Sequence, residues 1–141
     1  MSSDPEIRVY TAADQDGVIA LWRQVFPGES GWNEPADVIA RKLTVQPDLF
    51  FVAVQDRQVV GTVMAGFDGV RGWVHKLAVH PEAQRRGLAS RLMHRAEQGL
   101  RNLGCAKLNL QVRASNLQVI AFYESLGFSV EDRASLGKPL D

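Results

Sequence analysis

Three apolar runs set between two tight polar turns, followed by one long amphipathic segment, constrain this chain more than anything else in it. Leu49 to Gln55 is almost wholly apolar and reads as a central strand buried on both faces. Gln55-Asp56-Arg57 turns the chain into a second run, Val59 to Phe67, and Asp68-Gly69 turns it into a third, Gly72 to Val79. Loops that short cannot cross a sheet, so the three runs predict an antiparallel meander. The amphipathic segment, about Arg86 to Asn102, carries Leu88, Leu92, Met93, Ala96, Leu100 and Leu103 on one helical face and stops at Gly104. Lys107 to Val112 then reads as a strand. A strand, a helix of that length and another strand make a parallel, right-handed βαβ crossover.

The flanks complete the layers. Ile7, Val9 and Tyr10 suggest a short first strand. Asp14 can cap a helix whose Val18, Leu21, Trp22 and Val25 share one stripe and which ends near Pro27-Gly28. Asn33 can cap a second helix with Pro35 in its first turn, where Val38, Ile39, Lys42 and Leu43 continue an apolar pattern imperfectly. A further helix is expected from about Asn116 to Leu126, with Gly127 as its stop, and last strands from Phe128 toward Leu136. The expected fold class is α/β in the α+β sense: a mixed, mostly antiparallel central sheet with helices on both faces and one βαβ crossover. At 141 residues the chain suits one domain, expected to span residues 1–141.

Composition removes whole classes of function. Sixteen basic residues balance sixteen acidic ones, so no global charge draws the protein to nucleic acid or to an anionic membrane. Cys105 is the single cysteine, which excludes an intrachain disulfide and a four-cysteine zinc site. No apolar run is long enough to span a bilayer and the first residues do not resemble a signal peptide, so the expected setting is the cytoplasm. A dinucleotide fingerprint, a Walker loop, an H-E-x-x-H zinc motif and a nucleophile elbow are all missing, and no metal is expected.

What remains is the junction Leu77-Ala78-Val79-His80-Pro81-Glu82-Ala83-Gln84-Arg85-Arg86-Gly87-Leu88-Ala89. A strand ends, a loop turns and a long helix begins. Gly87 and Ala89 let a ligand approach the backbone, and the first-turn N–H groups favour an anion. From Gln84 to Arg113 seven bases (Arg85, Arg86, Arg91, Arg95, Arg101, Lys107, Arg113) meet one acid, Glu97. A diphosphate suits such a turn, although a solvated basic helix face would read the same way. The second constellation is Asn116 to Phe128, in which Tyr123 lies two turns beyond Asn116 on the same face. Read alone, Asn116 is a helix cap and Tyr123 a half-buried aromatic.

Together the two stretches resemble the GNAT superfamily of acyl-CoA N-acetyltransferases, and the whole chain is similar to its small bacterial YpeA-like members. Gln84-Arg85-Arg86-Gly87-Leu88-Ala89 matches the Gln/Arg-x-x-Gly-x-Gly/Ala signature, and Ala121-Phe122-Tyr123-Glu124-Ser125-Leu126-Gly127-Phe128 resembles the family's late helix-and-strand motif. The resemblance implies acetyl-CoA as co-substrate. Backbone N–H groups of Arg85, Arg86, Gly87, Leu88 and Ala89 would hold its pyrophosphate, next to Gln84. Leu77, Ala78 and Val79 would pair with the pantetheine arm, and Asn116 would contact the coenzyme. Tyr123 matches the usual general acid.

The amine must lose a proton to attack, and many members carry a glutamate near the start of the same strand. Here His75 stands at about that place and is the candidate general base, the alternative being a water path to Glu29, Glu34 or Asp68. An N–H of Leu77 or Val79 could serve the oxyanion. By strand alternation Trp73, His75 and Leu77 would share one side.

The expected function is acetyl transfer to a primary amine by direct attack in a ternary complex. The competing reading is a non-catalytic acyl-CoA-binding sensor or regulatory module, and a structural partner module is a third. The expected partners are acetyl-CoA and an amine-bearing acceptor, with a homodimer suggested by the edge of the last strands. Residues 1–83 hold eleven acids and seven bases, a lean toward cationic acceptors, with Trp32 or Trp73 as an aromatic wall.

Overall fold

The computed structural model describes residues 4–140. Contacts divide the chain into two compact units, Met1–Leu110 and Gln111–Asp141.

The first unit holds a five-stranded sheet in sequential order: β1 (Glu6–Val9), β2 (Phe50–Gln55), β3 (Gln58–Phe67), β4 (Gly72–Val79) and β5 (Leu108–Asn109). β1 to β4 pair antiparallel and β4 pairs β5 in parallel, so the meander and the crossover are both present. Helices α1 (Gln15–Val25) and α2 (Pro35–Lys42) belong to one face, where Val18, Leu21, Trp22, Val38 and Ile39 bury against Phe50, Val52, Met64 and Ala78. Helix α3 (Leu88–Asn102) covers the other, burying Leu88, Leu92, Met93, Ala96 and Leu100 of the predicted stripe, whereas Leu103 falls at the C-cap and is exposed. It packs closely: a Cβ on Gly61 of β3 would lie 2.9 Å from a Leu92 methyl. The expected fold class holds in this unit.

Local chemistry explains the boundaries and corrects some of them. Asp14 precedes α1 but its carboxylate does not cap it. It instead accepts from the Thr11 backbone N–H at 2.8 Å and from Arg8 at 2.8 and 2.9 Å. Asn33 ends a short 3₁₀ turn, Gly31–Asn33, so Glu34 occupies the N-cap position of α2 and Pro35 its first turn. α3 starts at Leu88 rather than Arg86, because Arg85 (φ 66°) and Gly87 (φ 77°) are left-handed. Gly104 ends it with φ 83°, and the Cys105 N–H reaches back to the Leu100 carbonyl at 3.1 Å. The strand expected over Lys107 to Val112 shrinks to Leu108–Asn109, since only Gly72 and Trp73 of β4 pair with it.

The second unit contains α4 (Leu117–Ser125). Asn116 caps it as expected, its Oδ1 accepting from the Val119 N–H at 3.3 Å. Gly127 (φ 97°) stops it, with the Phe128 N–H on the Tyr123 carbonyl at 3.1 Å. The strands expected from Phe128 toward Leu136 do not form: among the described residues no strand follows α4. Glu131-Asp132-Arg133 interrupt the segment with charged residues that are poor strand formers. The edge that suggested a homodimer is therefore missing. Among the described residues no helix is long and apolar enough to cross a membrane.

Candidate active site

The site of the first unit grows from an irregularity in β4. Thr62 pairs with Ala78 and Met64 with His75, so three steps on β4 match two on β3. The extra residue is a bulge at Lys76, whose φ is 55°. A non-glycine residue there is strained by roughly 1–3 kcal/mol, and a buried relay holds it. The Thr62 hydroxyl donates to the Lys76 carbonyl at 2.8 Å and accepts from the Trp22 indole N–H at 2.8 Å. Both side chains are fully buried. The bulge corrects the expected alternation: Ala78, not Leu77, lies on the same side as Met64 and His75, toward α1 and α2.

Beyond Trp73 the outer edge of β4 has no strand partner among the described residues. The His80 N–H bonds inward to the Val60 carbonyl at 2.8 Å, so by alternation the Val79 N–H points outward along the open edge. Ala78 and Val79 are buried and can offer a ligand only their backbone. The chain then enters the turn at Gln84, whose side chain donates to the Val79 carbonyl at 3.2 Å. Arg85, Arg86 and Gly87 are exposed and Leu88 is buried. No side chain caps α3, so its first-turn N–H groups remain outward, preceded by two left-handed residues that curve the backbone. Arg85 and Arg86 stand beside them. Two bases counted with them in the sequence act elsewhere: Arg91 and Arg95 donate to the Pro5 and Ile7 carbonyls at 3.0 and 3.4 Å.

On the α1/α2 side an open cleft of about 360 Å³ is lined by Asn33, Val38, Arg41, Lys42, Met64, His75 and Lys76. His75 lies at an exposed position in it. Partial burial lowers its pKa from the ordinary value, and the positive charges of Lys42 and Lys76 push the same way. The imidazole is therefore neutral at pH 7 and able to accept a proton. The Lys42 ammonium is buried and donates to the Ala65 carbonyl at 2.5 Å; burial lowers its pKa against a weaker opposite pull from Asp48. Lys76 lies over the Phe26 ring at 4.9 Å and pairs with Glu29 at 3.4 Å. The other acids proposed for a water path are engaged: Glu34 pairs with Arg23 at 2.8 Å, and Asp68 accepts from the Val70 and Arg71 N–H groups at 2.8 Å. A count of acids in residues 1–83 thus misdescribes the cleft, whose lining is basic.

The second unit places Asn116 at the start of α4 and Tyr123 within it. Phe122 and Phe128 stack edge-on against the Tyr123 ring at 5.1 and 5.5 Å. Burial alone pushes the phenol up to about 12, so it stays protonated through the working range.

Residues that sequence reading missed are Trp22, Thr62, Arg41, Lys42 and Lys76. Lys42 left a trace, a base inside an apolar helical stripe. The bulge at Lys76 left none.

The sequence matches the profile of the Acetyltransferase (GNAT) family over residues 8–128. It is 44% identical over 135 residues to an acetyltransferase of Yersinia enterocolitica, YE1169, covering 96% of this chain and 95% of that one. It is 43% identical to Pectobacterium atrosepticum acetyltransferase ECA0875 over the same shares of the two chains. Among solved structures, the aminoglycoside N-acetyltransferase AAC(6')-Iy in complex with CoA superposes with a TM-score of 0.79 at 20% identity, covering 99% of this chain and 96% of that one. The PaiA N-acetyltransferase of Thermoplasma acidophilum, in complex with coenzyme A, gives 0.79 at 21% identity over 94% of each chain. The chain belongs to the GNAT family of acetyltransferases.

Proposed function

We propose that the protein is an acetyl-CoA-dependent N-acetyltransferase that moves the acetyl group to a primary amine by direct attack in a ternary complex, working in the cytoplasm as one N-acetyltransferase domain over residues 1–141. The observation that carries this reading is the run from the open edge of β4 into the uncapped start of α3, with Arg85 and Gly87 left-handed between them. It offers a line of outward backbone groups for an amide-bearing arm and, at its end, N–H groups and two arginines for a pyrophosphate. Two fold neighbours solved with coenzyme A support the assignment.

Each residue then has a task. The backbone of Leu77, Ala78 and Val79 holds the pantetheine arm, and Gln84 with Arg85 to Ala89 the diphosphate. Asn116 contacts the coenzyme. His75, neutral at pH 7, takes the proton from the attacking amine as the N–C bond forms. An outward N–H on β4, such as that of Val79, steadies the oxyanion. Tyr123 gives its proton to the departing thiolate as the C–S bond breaks, and later regains one from solvent. The products are the amide and free coenzyme A.

The sensor reading keeps the turn but needs neither His75 nor Tyr123. Two measurements test the proposal: acetyl-CoA binding by calorimetry, and thiol release with an amine panel. Binding with no transfer to any amine would favour the sensor. Gly87→Glu sets a side chain and a negative charge at the phosphate turn and should abolish acetyl-CoA binding. Gly87→Ala, which shares the left-handed strain at φ 77°, is its control. Unchanged affinity in a folded Gly87→Glu protein would remove the assignment.

A further inference from the structure

We infer that the acceptor is a primary amine that also bears a carboxylate, an amino acid or a molecule built like one, and not a polycation; this rests on the acetyltransferase reading and deepens it. The cleft beside His75 holds three cations, Arg41, Lys42 and Lys76, and none of its lining residues is acidic. One carboxylate, Glu29, answers Lys76 at 3.4 Å. Arg41 donates to a neutral group, the Trp32 carbonyl, and Lys42 to the Ala65 carbonyl. An excess of positive charge therefore remains in a pocket that α2, β3 and β4 close on one side.

Two consequences follow from elementary electrostatics. A substrate carboxylate supplies a counter-charge beside Arg41 and adds to the weak one that Asp48 gives Lys42, with Arg41 able to offer a charge-assisted hydrogen bond. An amine placed near the same cations is disfavoured as ammonium, since like charges lower its pKa. The cleft thus binds the anionic end and helps release the proton that His75 accepts. A polycationic amine meets the opposite situation at both ends, and Val38 and Met64 leave room for an apolar side chain between them.

The test uses the whole protein with acetyl-CoA and pairs of acceptors differing only in charge, such as L-leucine against L-leucinamide and L-methionine against its amide, with spermidine as the polycation. Rates are compared as kcat/KM per concentration of free amine, because the amides carry less basic amino groups. The acids should exceed their amides at least about tenfold, the low end of what one charge-assisted hydrogen bond contributes. Arg41→Gln, at an exposed position that should leave folding intact, should collapse that ratio chiefly through KM. Amides or spermidine reacting as well as the acids, or an unchanged ratio in Arg41→Gln, overturn the inference while leaving acetyl transfer standing. A protein that calorimetry shows not to bind acetyl-CoA defeats the enzyme reading, and the inference falls with it.

Discussion

Thr62→Val keeps the shape of a buried side chain and deletes its hydroxyl. That hydroxyl joins two groups: the buried Trp22 N–H, from which it accepts at 2.8 Å, and the part-buried Lys76 carbonyl, to which it donates at 2.8 Å. Removing it orphans both. A buried polar group left without a partner costs about 1–3 kcal/mol, and the added methyl returns roughly 0.8 kcal/mol. The net loss should be about 1–5 kcal/mol, which for a domain near this size lowers Tm by roughly 2–20 °C. Trp22→Phe removes the indole donor and leaves the bond to Lys76 in place. In the double variant no orphaned N–H exists, so it should be at least about 1 kcal/mol more stable than the sum of the singles. Urea unfolding of the four proteins measures this cycle directly. The carbonyl of Lys76 is also the tether of a left-handed residue, so the single Thr62 variant should lose kcat more than acetyl-CoA affinity. Additive stabilities, or a Thr62→Val protein within about 0.5 kcal/mol of wild type, would refute the idea that the relay holds the bulge.

Tyr123→Phe should lower kcat by about 10²-fold with little change in acetyl-CoA affinity. With the phenol at about 12, the wild-type rate should show no alkaline limb from this group at the ordinary tyrosine value near 10. His75, whose pKa is lowered, should give kcat/KM an acidic limb below the usual 6.5, and His75→Ala should abolish that limb and cost about 10²-fold at neutral pH. Retention of both rate and limb would assign the proton to a water path. Arg8 holds the Asp14 carboxyl below its usual range, so the pair stabilises the fold above that range and the contribution is lost as pH falls through the lowered value. Asp14→Asn should therefore destabilise the protein at pH 7 and flatten the dependence of its urea midpoint on pH under acid conditions.

The meander, the crossover and the turn before α3 were legible because each rests on local chemistry. Val59 to Phe67 can bury its alternate residues only as a strand, and Gly87 stands where the backbone needs a left-handed residue. The rest depends on partners distant in sequence. Nothing in Trp73 to Val79 marks Lys76 as the extra residue, since the bulge is fixed by Thr62 and Trp22. Phe128 to Leu136 starts with strand formers but runs into Glu131-Asp132-Arg133, and Lys107 to Val112 meets only two residues of β4. The basic cleft was hidden for a similar reason. Charge counting treats every acid alike, whereas Asp14, Glu34 and Asp68 are already bound to nearby groups.

The contacts that Arg91 and Arg95 make with the Pro5 and Ile7 carbonyls span 86 and 88 residues of chain. They give the order of assembly during synthesis a direction. β1 can pair with β2 once about two-fifths of the protein has emerged, yet the Pro5 and Ile7 carbonyls wait for their arginines until the middle of α3 has been made. Closing so wide a loop is slow relative to forming the meander. The N-terminal strand is thus locked well after it first pairs, and the arginines that lock it sit one and two turns from the turn at Gly87. Trimming the chain through Glu6 would remove the Pro5 carbonyl that Arg91 holds and would reach that turn along α3 without altering any residue of the turn itself.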